Sequence, residues 1–210
     1  MRNRTENQIK LVLIRHGETP SNSLGRYLGK TEENLSETGI DKIINCKSKG
    51  KYPAADICFS SPMRRCVETA NLIYGCNSPV LIEEWREIDF GRFEGKNYQE
   101  LNGDREYQAW IDSNGTLPFP GGESREEFRA RCLKGMDRAV KELIAIEGDM
   151  PLTVAAVIHG GTIMSILSAY WKDNYFDYQC KNAEGYECRM TLSSNQDFSQ
   201  KIKIDIVGKL

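Results

Sequence analysis

A chain of 210 residues is within the range of one ordinary domain and long enough to bury a full core. With 28 Lys and Arg against 30 Asp and Glu, its formal charge is -2, so no nucleic-acid or membrane partner is expected and any anion site must be built locally. Seven cysteines at 46, 58, 66, 76, 132, 180 and 188 show no CxxC pair and no metal-ligand spacing, and the polar start MRNRTENQ leads into no signal-like apolar stretch, so a cytoplasmic protein with reduced thiols is expected.

The run IKLVLI, 9 to 14, is rich in β-formers and stops at RHGET, the pattern of a strand buried on both faces. Ser36 opens a helical stretch to about Lys49 with Gly50 as its stop. ADICFS, 55 to 60, predicts a strand, after which Ser61 and Pro62 read as N-cap and first residue of a helix ending at Gly75. PVLIEE, 79 to 84, is a third strand, followed by an irregular stretch holding Glu87, Phe90, Gly91, Phe93 and Gly95. Ser124 and Glu127 stand in capping-box spacing ahead of the longest helix, which Gly148 should end. LTVAAVI, 152 to 158, predicts a second fully buried strand, with HGG and a helix from Thr162 to Trp171 behind it. CRMTL and KIKIDIV complete the chain as late strands. Elements alternating in this way predict an α/β fold, a three-layer α/β/α sandwich with a mostly parallel central sheet. The chain reads as one domain from 1 to 210, with 96 to 122 an insertion over one end of the sheet.

Only two histidines occur, and each lies directly after a predicted buried strand and before glycine: His16 in IRHG and His159 in IHGG. A lone loop histidine would carry little weight. Two at the carboxyl ends of strands in an α/β sheet stand where such sheets bind ligands, and the glycines after them leave backbone amides open to an anion.

The segment RHGETPSN, 15 to 22, resembles the signature of the histidine phosphatase superfamily, the phosphoglycerate-mutase-like proteins. SSPMRRCVETA at 60 to 70, WREIDFGRFEG at 85 to 95, PGGES at 120 to 124 and VIHGG at 157 to 161 follow in the family's order. The wording of DFGRFEG and PGGES is most similar to the alpha-ribazole phosphatase and broad-specificity phosphatase branch. The resemblance implies a metal-independent phosphatase acting on a small phosphorylated metabolite, with no cofactor, through a phosphohistidine on His16. It implies phosphate binding by Arg15, Asn22, Arg64, His159 and Gly160, with Arg64 preferred to its neighbour Arg65. Glu87 is implied as the proton donor, and His159, if protonated beside the phosphate, would add a third cationic donor.

These roles make chemical sense. A neutral imidazole attacks phosphorus from one nitrogen if the other donates to a fixed acceptor, and guanidinium groups match phosphate oxygens bidentately. A carboxyl group with a raised pKa can protonate the leaving oxygen. Arg125, Arg129, Arg131 and Arg138, at intervals along the long helix, read as a solvated face. Leu28, Phe93 and Ile158 depart from residues common in the family, and none of them removes a catalytic group. Alternatives are a phosphoglycerate mutase, which is usually longer, and a noncatalytic phosphate-binding protein, which would be expected to have lost a key group. A homodimer is compatible with the sequence, and nothing from about Asp173 onward matches a motif.

Overall fold

The structure, a computed structural model, describes residues 7–146, 153–172, 174–194 and 200–210. A six-stranded sheet is formed by β1 (Asn7–Arg15), β2 (Ile57–Ser60), β3 (Val80–Leu81), β4 (Thr153–Ile158), β5 (Gly185–Ser194) and β6 (Gln200–Lys209) in the order β3-β2-β4-β1-β5-β6. β4 pairs in parallel with both β1 and β2, and β2 with β3, while β5 pairs antiparallel with both β1 and β6. Only β5 therefore runs against the other strands, and the sheet is mostly parallel as expected.

The period of two along β1 makes both faces of the sheet apolar. Leu11 and Leu13 point to one side, where they meet Met136, Val140 and Leu143 of α5 (Arg125–Ile144) and Ile163 and Leu167 of α6 (Gly160–Tyr170). Val12 and Ile14 point to the other, against Ile43 of α2 (Glu37–Ser48) and Cys66, Ala70 and Ile73 of α3 (Arg64–Tyr74). Three layers result. A third cluster lies beyond them, where Phe119 and Leu101 pack on Ile88, Phe93 and Phe128. This cluster includes Tyr107 and Trp110 of the helix Arg105–Asp112, which we number α4, and it belongs largely to the segment between β3 and α5.

The local signals mostly act as their chemistry requires. Ser36 caps α2, Ser124 and Glu127 form the reciprocal capping box of α5, and Gly75 closes α3 at φ 65°. Two expectations fail. The segment 79–84 contributes only Val80–Leu81 to the sheet, because Glu83–Trp85 turns into one 3₁₀ turn and buries Trp85. Ser61 and Pro62 do not begin α3, whose N-cap is Met63; Ser61 is turned inward instead. The α5 stop expected at Gly148 lies outside the described residues, and the last described turn is capped at Ala145. The RHGET loop leads into a four-residue helix, α1 (Pro20–Ser23), whose capping box joins Thr19 and Asn22. All seven cysteines are free thiols. Among the described residues no helix is long and apolar enough to cross a membrane.

Trp85 shows how tightly this side is packed. Its ring is 1% exposed, its Nε1–H donates to the carbonyl of Cys132 at 3.2 Å, and a Cβ placed on Gly135 would fall inside contact distance of the indole. Gly135→Ala is therefore expected to lower stability by about 1–3 kcal/mol through overpacking, read as a fall in the urea midpoint. An unchanged midpoint would mean that the Trp85 side of α5 has room that the packing denies.

Candidate active site

The pairing of β1 with β4 places the two histidines. Arg15 stands opposite Ile158 in the parallel register, and the N–H of His16 donates to the Ile158 carbonyl at 2.9 Å. The next residues after those strands are thus side by side. Their rings meet edge to face, with centroids 5.1 Å apart.

His16 is 2% exposed, and its Nδ1–H donates to the carbonyl of Gly17 at 2.7 Å. That bond selects the tautomer and leaves Nε2 with its lone pair free to attack. Gly17 is held in turn, its N–H donating to the hydroxyl of Thr69 on α3 at 2.9 Å. Burial, followed by the charges of Arg65 and Arg15, keeps His16 well below the usual imidazole pKa, so the ring is neutral.

Arg15 donates from Nη1 to the carbonyl of Cys180 at 2.8 Å, which draws the guanidinium toward the segment ahead of β5. Gly160 lies beside it, a Cβ placed there falling 3.4 Å from the Arg15 Nε, in ordinary contact. Gly160 opens α6, and the N-cap, His159, provides no side-chain bond to the first amides. These amides give the site a second source of positive potential.

The arginine brought to the site from α3 is Arg65, not Arg64. Arg64 is exposed and donates to Asn34 Oδ1 at 3.1 Å. Arg65 is 0% exposed, and its charge depresses the basicity of both histidines. The reason is helical phase: Arg65 shares the inward side of α3 with buried Cys66, Thr69 and Ile73, whereas Arg64 faces out. The carbonyls of Thr31 and Gly29 accept from Arg65 at 3.0 and 2.9 Å, with Leu28 at 3.4 Å. Those carbonyls are fixed because the Glu94 carboxylate accepts the N–H groups of Gly29 and Thr31. Leu28 thus takes part through its backbone.

His159 is fully buried, and Ser61 Oγ lies 2.8 Å from its Nε2. The Ser61 oxygen also accepts the Met63 N–H at 3.4 Å, and the other ring nitrogen of His159, Nδ1, is 3.8 Å from Glu87 Oε2. Burial first, then Arg65, His16, Arg15 and Arg131, hold His159 well below the ordinary value. A neutral ring presents one N–H.

Glu87 has a side chain 12% exposed and accepts the Ile88 N–H at 3.0 Å. Burial raises its pKa above the usual carboxyl value, against the opposing pull of that hydrogen bond and of Arg65, Arg15 and Arg131. Its backbone is clamped by Arg131, which donates to the carbonyls of Glu84, Arg86 and Glu87 and pairs in two places with Glu123 at 2.8 and 2.7 Å. Arg131 is therefore no part of a solvated face. Asn22 is nearby but less committed: its Oδ1 accepts from Thr19 N–H and from Asn182 Nδ2 at 3.0 Å, leaving its own amide protons available.

Arg15, Glu87, Gly160 and Gly161 line a cavity of about 240 Å³ at the carboxyl ends of β1 and β4. Among the described residues no group of three His, Cys, Asp or Glu is placed to hold a metal ion.

The chain is 30% identical to a metal-independent phosphoserine phosphatase of Arabidopsis thaliana, over 75% of this chain and 66% of that one, so it spans slightly under two thirds of that relative. It is 32% identical to a 2,3-bisphosphoglycerate-dependent phosphoglycerate mutase of Rhizobium etli, over 74% and 77% of the two chains. A crystal structure of a phosphoserine phosphatase mutant from Entamoeba histolytica in complex with phosphoserine superimposes with a TM-score of 0.69 at 28% identity, covering 96% of each chain. The model of the histidine phosphatase superfamily (branch 1) matches residues 11–195, and the chain belongs to that superfamily.

Proposed function

We propose that this protein hydrolyses phosphomonoesters of small molecules through a phosphohistidine on His16. The observation that carries the reading is a neutral His16, its Nδ1–H held by Gly17 and its Nε2 free, in a buried site with two arginines and a carboxyl group of raised pKa.

In the first half, the Nε2 lone pair forms a bond to phosphorus as the ester P–O bond breaks, and the departing oxygen takes the Glu87 proton. In the second half, the Glu87 carboxylate accepts a proton from water. The resulting hydroxide bonds to phosphorus, the P–N bond breaks, and its electron pair returns to His16 Nε2 with release of inorganic phosphate. Arg15, Arg65, the His159 N–H, the Asn22 amide and the amide of Gly160 surround the phosphoryl oxygens in this scheme, where transfer depends on fixed donors and positive charge. A phosphate dianion would offset the repulsion that Arg65 and Arg15 impose on any protonated imidazole.

Arg65→Ala is expected to cut kcat/KM by roughly a hundredfold or more, the scale of losing a preorganised donor to the transition state, whereas Arg64→Ala should stay within a few-fold of wild type. Steady-state phosphate release from both variants reads this directly, and a larger loss at Arg64 would return the assignment to that residue.

Glu87 has a pH signature. A general acid works only while protonated, and a pKa raised above the ordinary carboxyl value extends that form to higher pH. Wild-type kcat/KM for an alkyl phosphate should therefore fall as pH rises through the Glu87 pKa, and Glu87→Gln should lack that limb and lose about 10² to 10⁴ in rate. The loss should shrink for p-nitrophenyl phosphate, whose leaving group needs no proton. Equal losses on alkyl and nitrophenyl esters would remove Glu87 from the acid role.

A further inference from the structure

Resting on the phosphatase reading, we infer that the alcohol part of the favoured substrate carries an aromatic ring, held in a chamber built around the catalytic cavity's Glu87 side. The chamber has a volume of about 500 Å³ and shares Glu87, Gly161 and Met164 with the 240 Å³ cavity that holds Arg15 and Gly160. Those three residues mark the passage between them. If Glu87 protonates the leaving oxygen, the leaving group must lie on its side of the phosphate, and that side opens into the larger chamber. At this size it would hold far more than a two-carbon alcohol, since sites of roughly 300–1,000 Å³ enclose drug-sized molecules.

The walls say what kind of group fits. Phe90, Trp110, Phe119, Phe128, Tyr175 and Phe176 all line it. Phe90 and Phe119 meet edge to face at 4.9 Å, and Trp110 stacks on Phe119 at 4.9 Å. A ring inserted among them finds the offset-stacked and edge-on partners that aromatic groups prefer. At the chamber, Ile111 is 44% and Phe176 53% exposed, apolar area that a bound ring would cover.

A small zwitterionic alcohol is poorly served by the same walls. Besides Glu87 and the tyrosine hydroxyls, the polar side-chain groups that line it are those of Asn114 and Arg125 and the indole N–H of Trp110. The Arg125 guanidinium is already engaged, 5.7 Å over the ring of Tyr175 and 3.6 Å from the Glu126 carboxylate. An ammonium and a carboxylate on the alcohol would be brought against aromatic faces with one partly committed cation between them, and charges buried without partners are costly.

The test compares kcat/KM for ethyl phosphate, 2-phenylethyl phosphate and O-phosphoserine. The first two release similar alkoxides, so their ratio reports the ring's contacts and not leaving-group chemistry. The phenylethyl ester is expected to be better by about 10- to 100-fold, the range for burying one aromatic side chain, and to exceed phosphoserine as well. Trp110→Ala should lower the phenylethyl-to-ethyl ratio several-fold; because Trp110 also supports the outlying aromatic cluster, Phe176→Ala, at an exposed position, is the companion variant and should lower the same ratio. A wild-type ratio near one, or phosphoserine as the better substrate, overturns the inference while phosphate release keeps the phosphatase reading standing. No phosphate from any of the three esters defeats both.

Discussion

The hydrogen bond from the His16 N–H to the Ile158 carbonyl extends the parallel register of β1 and β4 by one residue beyond the strands, and the site depends on that extension. Residues 143 positions apart, by subtraction of 16 from 159, become neighbours because β1 and β4, apolar on both faces, pair in parallel with Arg15 opposite Ile158. Everything else is arranged around that fixed pair. α3 brings Arg65 and Thr69 from one face of the sheet, α6 brings the Gly160 amide, and Arg131 on α5 holds the backbone that carries Glu87.

The electrostatic consequence is a site that resists protonation of its imidazoles. Burial and two guanidinium groups act in the same direction on His16 and His159, and burial acts in the opposite direction on Glu87. The result is a neutral nucleophile beside a carboxyl group whose pKa is raised, which is the pairing that acid-assisted phosphoryl transfer draws on. Such an arrangement needs an outer layer to hold it. Glu94 orders the 29–31 loop whose carbonyls grip Arg65, and Glu123 occupies the fork of Arg131. These carboxylates do for the arginines what Gly17 does for His16: they leave one geometry.

The residues legible from sequence were those whose position is set by a strong local pattern. His16, His159 and Arg15 sit at the ends of continuous apolar strands, and the structure places them together in the sheet's carboxyl-end crevice. Glu87 was legible only through the words around it, since its place depends on the turn at Glu83–Trp85 that replaced most of a predicted strand. Helical phase separates Arg65 from Arg64: counting from buried Cys66, Thr69 and Ile73 puts 65 inward and 64 outward, whereas the motif wording alone points to 64. Arg131 had no such signal, because its partners Glu84, Arg86 and Glu123 come from other segments and a charge on a helix looks solvated until those segments are folded onto it. Ser61 was hidden for a related reason, its cap-like spacing before α3 masking a side chain directed at His159.

The central claim is the covalent intermediate, and rapid-quench labelling of the protein with a ³²P-phosphomonoester tests it most directly. Acid-labile, base-stable label is expected to map to His16, to appear and decay fast enough to carry turnover, and to be absent from His16→Ala together with hydrolysis. Steady turnover without such label, or an active His16→Ala, would contradict it.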